Sequence, residues 1–179
     1  MKILLGLNIG GKLITKKTPS EPWPGNFDCS YNQLTSLEGA PSSVGDGFYC
    51  DNNQLTSLEG APASVGDNFY CYVNKLTSLE GAPSSVGDNF VCSHNKLTSL
   101  TGIHKILKQM NGAFYADDNP LKSNVIGLLL VKGCKKVKLD NKQVMEIMNR
   151  HLQSPFGNKR VIECQSEMLD TDLGEWAEL

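Results

Sequence analysis

The chain has no Cys-x-x-Cys pair, no Gly-rich phosphate loop, no serine elbow and no apolar run long enough to span a membrane. Each absence excludes a class of chemistry. A structural zinc needs four ligands converging at one place, and unpaired cysteines give it no scaffold. "IGGK", residues 9–12, lacks the spacing of a P-loop. The three histidines, His94, His104 and His151, are scattered. There is no basic excess either: 17 Lys and Arg stand against 19 Asp and Glu, a net charge of −2, and nucleic-acid binding is not expected. The densest basic stretch, Lys132, Lys135, Lys136, Lys138 and Lys142, reads as a solvated face. At the N-terminus, Asn8 and Gly10-Gly11 break the apolar run of "MKILLGL" too early for a signal-peptide core. With no membrane segment, a cytosolic protein is expected.

What the sequence does have is repetition. Residues 48–68 and 69–89 are identical at 17 of 21 positions. Copies run 27–47, 48–68, 69–89 and 90–112, the last diverging after Leu100, and a partial copy runs 113–121. The shared frame is Phe-x-Cys-x-x-Asn-x-Leu-x-x-Leu. A period of this length signals a solenoid, in which each copy buries its apolar face only against its neighbours. Phe-x-Cys alternates as a strand with one buried face requires. Cys29, Cys50, Cys71 and Cys92 recur at the same interval and read as a ladder of buried thiols; Cys134 and Cys164 read as core. Asn32, Asn53, Asn74, Asn95 and Asn119 share one frame position, where a buried amide satisfies backbone groups at the bend after each strand. The return segment "EGAPSSVGDN" reads as turns with one inward valine, Val44, Val65 or Val86.

This frame resembles the leucine-rich repeat, with Phe and Cys in place of the first two leucines of Leu-x-Leu-x-x-Asn-x-Leu-x-x-Leu. The "LTSLEGAP" copies, with "GLLLVKG" and "ECQSEML" downstream, resemble a group of tailed-bacteriophage proteins. That resemblance implies a viral origin and a bacterial cytosol, and carries no established activity. The repeats also look like those of bacterial effectors, some of which carry a cysteine ubiquitin-ligase domain. The C-terminal segment is too short for that domain, so no such activity is transferred. The expected fold class is an α/β solenoid: a stack of parallel strands over 27–121, an N-terminal cap over 1–26 and a mixed α/β, mainly helical cap over 122–179.

Within the ends, "MKILLGL" and "KLITKK" predict short strands, and "WPGNF" leads into the first rung as "VGDNF" leads into later ones. Ile103, Ile106, Leu107 and Met110 fall at helical spacing, with Gly112 as a stop. "SNVIGLLLVKG" predicts a helix capped by Ser123, "KKVKLD" a strand, and "NKQVMEIMNRHL" a helix capped by Asp140. "KRVIECQSEML" and "DLGEWAEL" predict two more helices.

Near-identical copies differ where the scaffold leaves them free to differ. The variable positions of the strand read Asp28, Tyr49, Tyr70, Val91, Tyr115, then Ser30, Asp51, Tyr72, Ser93, Asp117, then Tyr31, Asn52, Val73, His94, Asp118. The first two sets point away from the core by strand alternation, and the third flanks the bend. All five tyrosines of the chain lie in these columns, and tyrosine anchors interfaces because it buries a large area with one polar handle. The expected partner-binding residues are Tyr31, Tyr49, Asp51, Tyr70, Tyr72, Val91, His94, Tyr115 and Asp117. Glu38, Glu59, Glu80 and Asp46, Asp67, Asp88 form acidic ladders that read as solvated turns. The Gly-rich nonapeptide of calcium-binding repeats is absent, and neither metal nor cofactor is assigned. The expectation is a non-enzymatic protein-binding module acting on a bacterial host protein, a defence or regulatory component that it modulates or inhibits. A structural virion component is the alternative, and the oligomeric state is left open.

Overall fold

A two-residue strand has no stability of its own, so the frame segments must pair laterally. The computed structural model describes residues 7–9, 12–14 and 21–178 and shows this pairing. Two antiparallel strands, β1 (Leu7–Ile9) and β2 (Lys12–Ile14), come first; the remaining residues of the two predicted N-terminal strands lie outside the described residues. The frame segments then form β3 (Phe27–Asp28), β5 (Phe48–Tyr49), β7 (Phe69–Tyr70) and β9 (Phe90–Val91). They pair in parallel and in register, Phe27 with Phe48, Phe48 with Phe69, Phe69 with Phe90. β10 (Ala113–Tyr115) and β11 (Lys136–Lys138) extend the same sheet to six strands. The architecture is an α/β solenoid of about 5 turns with a helical C-terminal region.

The return segments contain more than turns. Their Ser-Val pairs are strands β4 (Ser43–Val44), β6 (Ser64–Val65) and β8 (Ser85–Val86), a second parallel sheet forming the back wall. Single bridges continue it to Trp23 on one side and to Gln109 and Lys132 on the other. Between the two walls lies one core. The rings of Phe27, Phe48, Phe69, Phe90 and Phe114 follow one another at 5.0–5.7 Å, stacked except for the tilted Phe69–Phe90 pair, and Trp23 meets Phe27 edge-on at 5.4 Å. Burying each such ring contributes about 2 kcal/mol. All six cysteines are free and buried; the Cys71 and Cys92 thiols donate to Val91 O and Tyr115 O of the next rung.

The asparagine ladder does what the frame requires. Asn53 Oδ1 accepts from the Asn32 and Leu34 N–H groups, while its Nδ2 donates to the Cys29 and Cys50 carbonyls, all at 2.9–3.0 Å. Asn74, Asn95 and Asn119 repeat the pattern. One glycine per rung, Gly45, Gly66 or Gly87, sits where the corners touch: a Cβ on Gly66 would come 1.9 Å from Gly45 O.

Four predicted elements differ. The helix expected through Met110 is a single turn, α1 (Ile103–Ile106). Leu107 onward is extended, because Lys108 N bonds Ser84 O and Met110 N bonds Lys132 O in the back wall. "SNVIGLLLVKG" is a 3₁₀ turn over Ile126–Leu130 with no side-chain cap; Ser123 instead bridges Ser99. Helix α2 (Lys142–Leu152) is capped by Asn141, whose side chain accepts from Val144 N. Asp140 instead accepts from the Asp118 and Asn119 N–H groups, capping the last bend of the ladder. Helix α3 (Asn158–Asp170) packs on α2 and the 3₁₀ turn. Its buried Arg160 donates through Nε and Nη2 to Leu129 O. "DLGEWAEL", predicted as a helix, holds only a 3₁₀ turn over Gly174–Trp176.

Candidate functional site

The parallel register dictates what shares a surface. Asp28, Tyr49, Tyr70, Val91, Tyr115 and Lys138 are direct neighbours along the six strands. They point away from the phenylalanines beside them, and each tyrosine in this column is half-buried by its neighbours. Tyr49 and Tyr70 meet edge-on at 5.2 Å, and Tyr70 and Tyr72 at 6.0 Å. Such pairs hold aromatic rings in place and reduce the ordering cost of binding.

The second column lies two residues further on. Asp51 differs from its expected role as an exposed contact: it is only 4% exposed. Its carboxylate accepts from Asn52 Nδ2 at 2.9 Å and from the Tyr72 hydroxyl. Burial, followed by the Asp51 charge and this hydrogen bond, raises the Tyr72 phenol to about 12. Asp51 therefore fixes Tyr72 from beneath. At the far end, Asp117 accepts from Ser93 Oγ at 2.7 Å and Lys138 Nζ at 2.9 Å. Burial opposes its ionisation, but these hydrogen bonds outweigh it and hold the Asp117 carboxyl below its usual range.

The third column is a left-handed bend. Tyr31, Asn52, Val73, His94 and Asp118 all have φ between 52° and 58°. This conformation splays Tyr31, Val73, His94 and Asp118 into solvent, Tyr31 to 71%. His94 Nε2 lies 3.2 Å from the Asp118 carboxylate. Of the predicted contact residues, Tyr49, Tyr70, Tyr72, Val91, Tyr115 and Asp117 thus share the strand face, Tyr31 and His94 edge it at the bend, and Asp51 supports it from below.

Two features read from sequence only as a variable bend position and as solvated turns have a more specific placement in the structure. Val73 is a β-branched residue in the left-handed region and is 40% exposed; the variability of its column was the available signal. The Asp46, Asp67 and Asp88 ladder runs along the corner just before β5, β7 and β9. Burial, then the Asp67 charge, raises both the Tyr49 and Tyr70 phenols. The placement follows from Gly47, where a Cβ would come 2.3 Å from Tyr49 Oη: the ring lies back over the start of its strand. Elsewhere, a cleft of about 190 Å³ between Leu79, Leu100 and Ile103 is edged by the hydroxyls of Thr77, Thr98 and Thr101; it is smaller than the usual small-molecule site of about 300 Å³ or more. Among the described residues, no group of His, Cys, Asp or Glu is arranged to hold a metal ion, and no helix is long and apolar enough to cross a membrane. Comparison with known protein families, curated proteins and solved structures finds no match.

Proposed function

We propose that this chain is a non-enzymatic protein-binding module that engages a bacterial host protein through the tyrosine-bearing strand face and modulates or inhibits it. The carrying observation is the gathering of Tyr49, Tyr70, Tyr72 and Tyr115 on one side of a rigid sheet, away from the core. Across six strands the face spans about 24 Å at the spacing of a parallel sheet, the scale of a standard interface of about 800 Å² per partner. The repeats' resemblance to leucine-rich repeats and to tailed-phage proteins directs the search to the bacterial cytosol.

The test is an affinity capture from bacterial lysate with the full chain, run beside Tyr49→Ala/Tyr70→Ala/Tyr72→Ala, with folding checked by circular dichroism. A stoichiometric partner held by the parent and lost by the folded variant supports the strand face. Equal retention moves the contact to the C-terminal region. If neither captures a partner and the chain co-purifies with virus particles, the structural virion reading replaces this one.

A further inference from the structure

We infer that what covers the tyrosine face is a basic segment of a partner protein, an arginine- or lysine-rich stretch lying along the strand starts. This rests on the reading of the strand face as a protein-binding surface, and identifies the chemistry of its occupant.

The aromatic surface is the contact, and the charge beside it decides what can cover it. Tyr49 lies back over Gly47, so its hydroxyl faces the corner where Asp46, Asp67 and Asp88 recur once per rung. Asp67 N bonds Asp46 O and Asp88 N bonds Asp67 O, each at 3.1 Å. The three aspartates therefore repeat along the backbone at the rung spacing, about 4.8 Å, where like charges repel, and among the described residues Asp67 Oδ1 accepts only from Asn68 Nδ2, at 3.1 Å. None of the three has an ion-pair partner among the described residues. The Tyr49 hydroxyl over Gly47, the residue after Asp46, puts acids and rings on one surface, and burial, then the Asp67 charge, raises both the Tyr49 and Tyr70 phenols. A metal ion is a poor occupant, because no group of carboxylates converges to hold one among the described residues.

A guanidinium or ammonium group suits both parts of this surface. It relieves the repulsion along the ladder and stacks favourably on a tyrosine face. The basic groups nearby do not fill that role. Lys138 is held by Asp117 at 2.9 Å. Lys75 bonds Gln54 Oε1 and, with Lys96, lies beyond the bend at the opposite end of the strands. Over β5 to β9 acids stand at the strand starts and lysines past the bend, and Lys135 and Lys136 enter the strand-start column only at β11, two rungs beyond Asp88; this polarity sets the path of the basic segment across the rungs from β3 to β9 rather than along one strand.

The experiment titrates the full chain with two fluorescently labelled probes, hexa-arginine and hexa-glutamate, by fluorescence anisotropy at low and at physiological ionic strength. Three folded variants accompany the parent: Asp46→Asn/Asp67→Asn/Asp88→Asn, Tyr49→Ala/Tyr70→Ala, and Glu38→Gln/Glu59→Gln/Glu80→Gln. The last removes the same number of charges from the other acidic ladder. The expected result is that hexa-arginine binds the parent and loses about tenfold in affinity with the first two variants. With the glutamate variant it is unchanged, and hexa-glutamate does not bind. Absence of hexa-arginine binding, equal loss in both acid variants, or tighter binding of hexa-glutamate overturns the inference. A lysate partner lost by the tyrosine variant but retained by the aspartate variant overturns it as well, while leaving the strand-face reading intact. A partner and hexa-arginine both retained by the tyrosine variant sink that reading too.

Discussion

At the scale of single residues, the repeat exposes what each position must do by showing five solutions to the same problem. The bend after every strand needs a left-handed residue, and the chain supplies Tyr31, Asn52, Val73, His94 and Asp118. Asparagine and aspartate tolerate this region because their short polar side chains bond locally; a β-branched side chain crowds the backbone there. Val73→Asn, which copies the neighbouring rung, is expected to stabilise the protein by about 1 kcal/mol. It should raise the urea midpoint without changing the slope of the transition; an unchanged or lower midpoint would mean that packing around Val73 compensates the strain. The thiol ladder makes a second residue-scale prediction. Burial pushes Cys29, Cys50, Cys71 and Cys92 well above the ordinary thiol value. These thiols stay protonated in the folded chain while those of the unfolded chain ionise from about pH 8.5. The folded state then binds more protons, so stability is fully present below that pH and declines as pH rises above it. Each thiol adds about 1.4 kcal/mol per pH unit to the decline. Urea titrations from neutral to alkaline pH should show a shallower decline for Cys71→Ala than for the parent, and an identical slope would refute the burial account.

At the scale of elements, the question is where a parallel stack stops. An unpaired strand edge invites another chain to pair with it. β11 is the last strand, and the Asn149 side chain on α2 closes it: Oδ1 accepts from Val137 N at 2.7 Å and Nδ2 donates to Val137 O at 2.9 Å. The amide imitates a further rung without offering an edge of its own. Asn149→Leu should remove both bonds at a cost of roughly 1–3 kcal/mol and produce concentration-dependent self-association by light scattering; a stable monomer at all concentrations would show that α2 alone shields the edge. The sequence made the strands of this stack legible because Phe, Cys, Asn and Leu return at fixed offsets. It made its closure less so. Ile103, Ile106, Leu107 and Met110 have helical spacing, yet Leu107 and Met110 are buried on an extended segment. Hydrogen bonds from Lys108 and Met110 to neighbouring rungs decide the outcome, and such long-range pairing leaves no local periodicity. Likewise Asp140 and Asn141 are adjacent candidate caps, and Asp140 is occupied by a bend two elements away.

At the scale of the whole molecule, the surface and the scaffold separate cleanly. Frame residues face inward and repeat; the columns of the proposed binding face vary. The tyrosine columns could be read from alternation alone, whereas the burial of Asp51 and the approach of Asp67 to the rings could not, because both depend on how neighbouring side chains lean across rungs. This separation predicts that a whole copy can be removed without loss of the fold. Deleting residues 48–68 joins Gly47 to Phe69 and leaves every frame contact with an equivalent partner. Phe27 pairs with Phe69 as it does with Phe48, Asn74 reaches the Cys29 carbonyl and the Leu34 N–H in place of Asn53, and Gly87 packs on Gly45 in place of Gly66. The shortened chain should unfold in one cooperative transition, with a urea slope lower roughly in proportion to the residues removed. It should also lose binding, because Tyr49 and its pairing with Tyr70 leave with the copy. A chain that folds but still binds at full strength would place the interface elsewhere. A chain that fails to fold would show that the copies are not interchangeable, and that Asp51 beneath Tyr72 contributes to the scaffold as well as to the face.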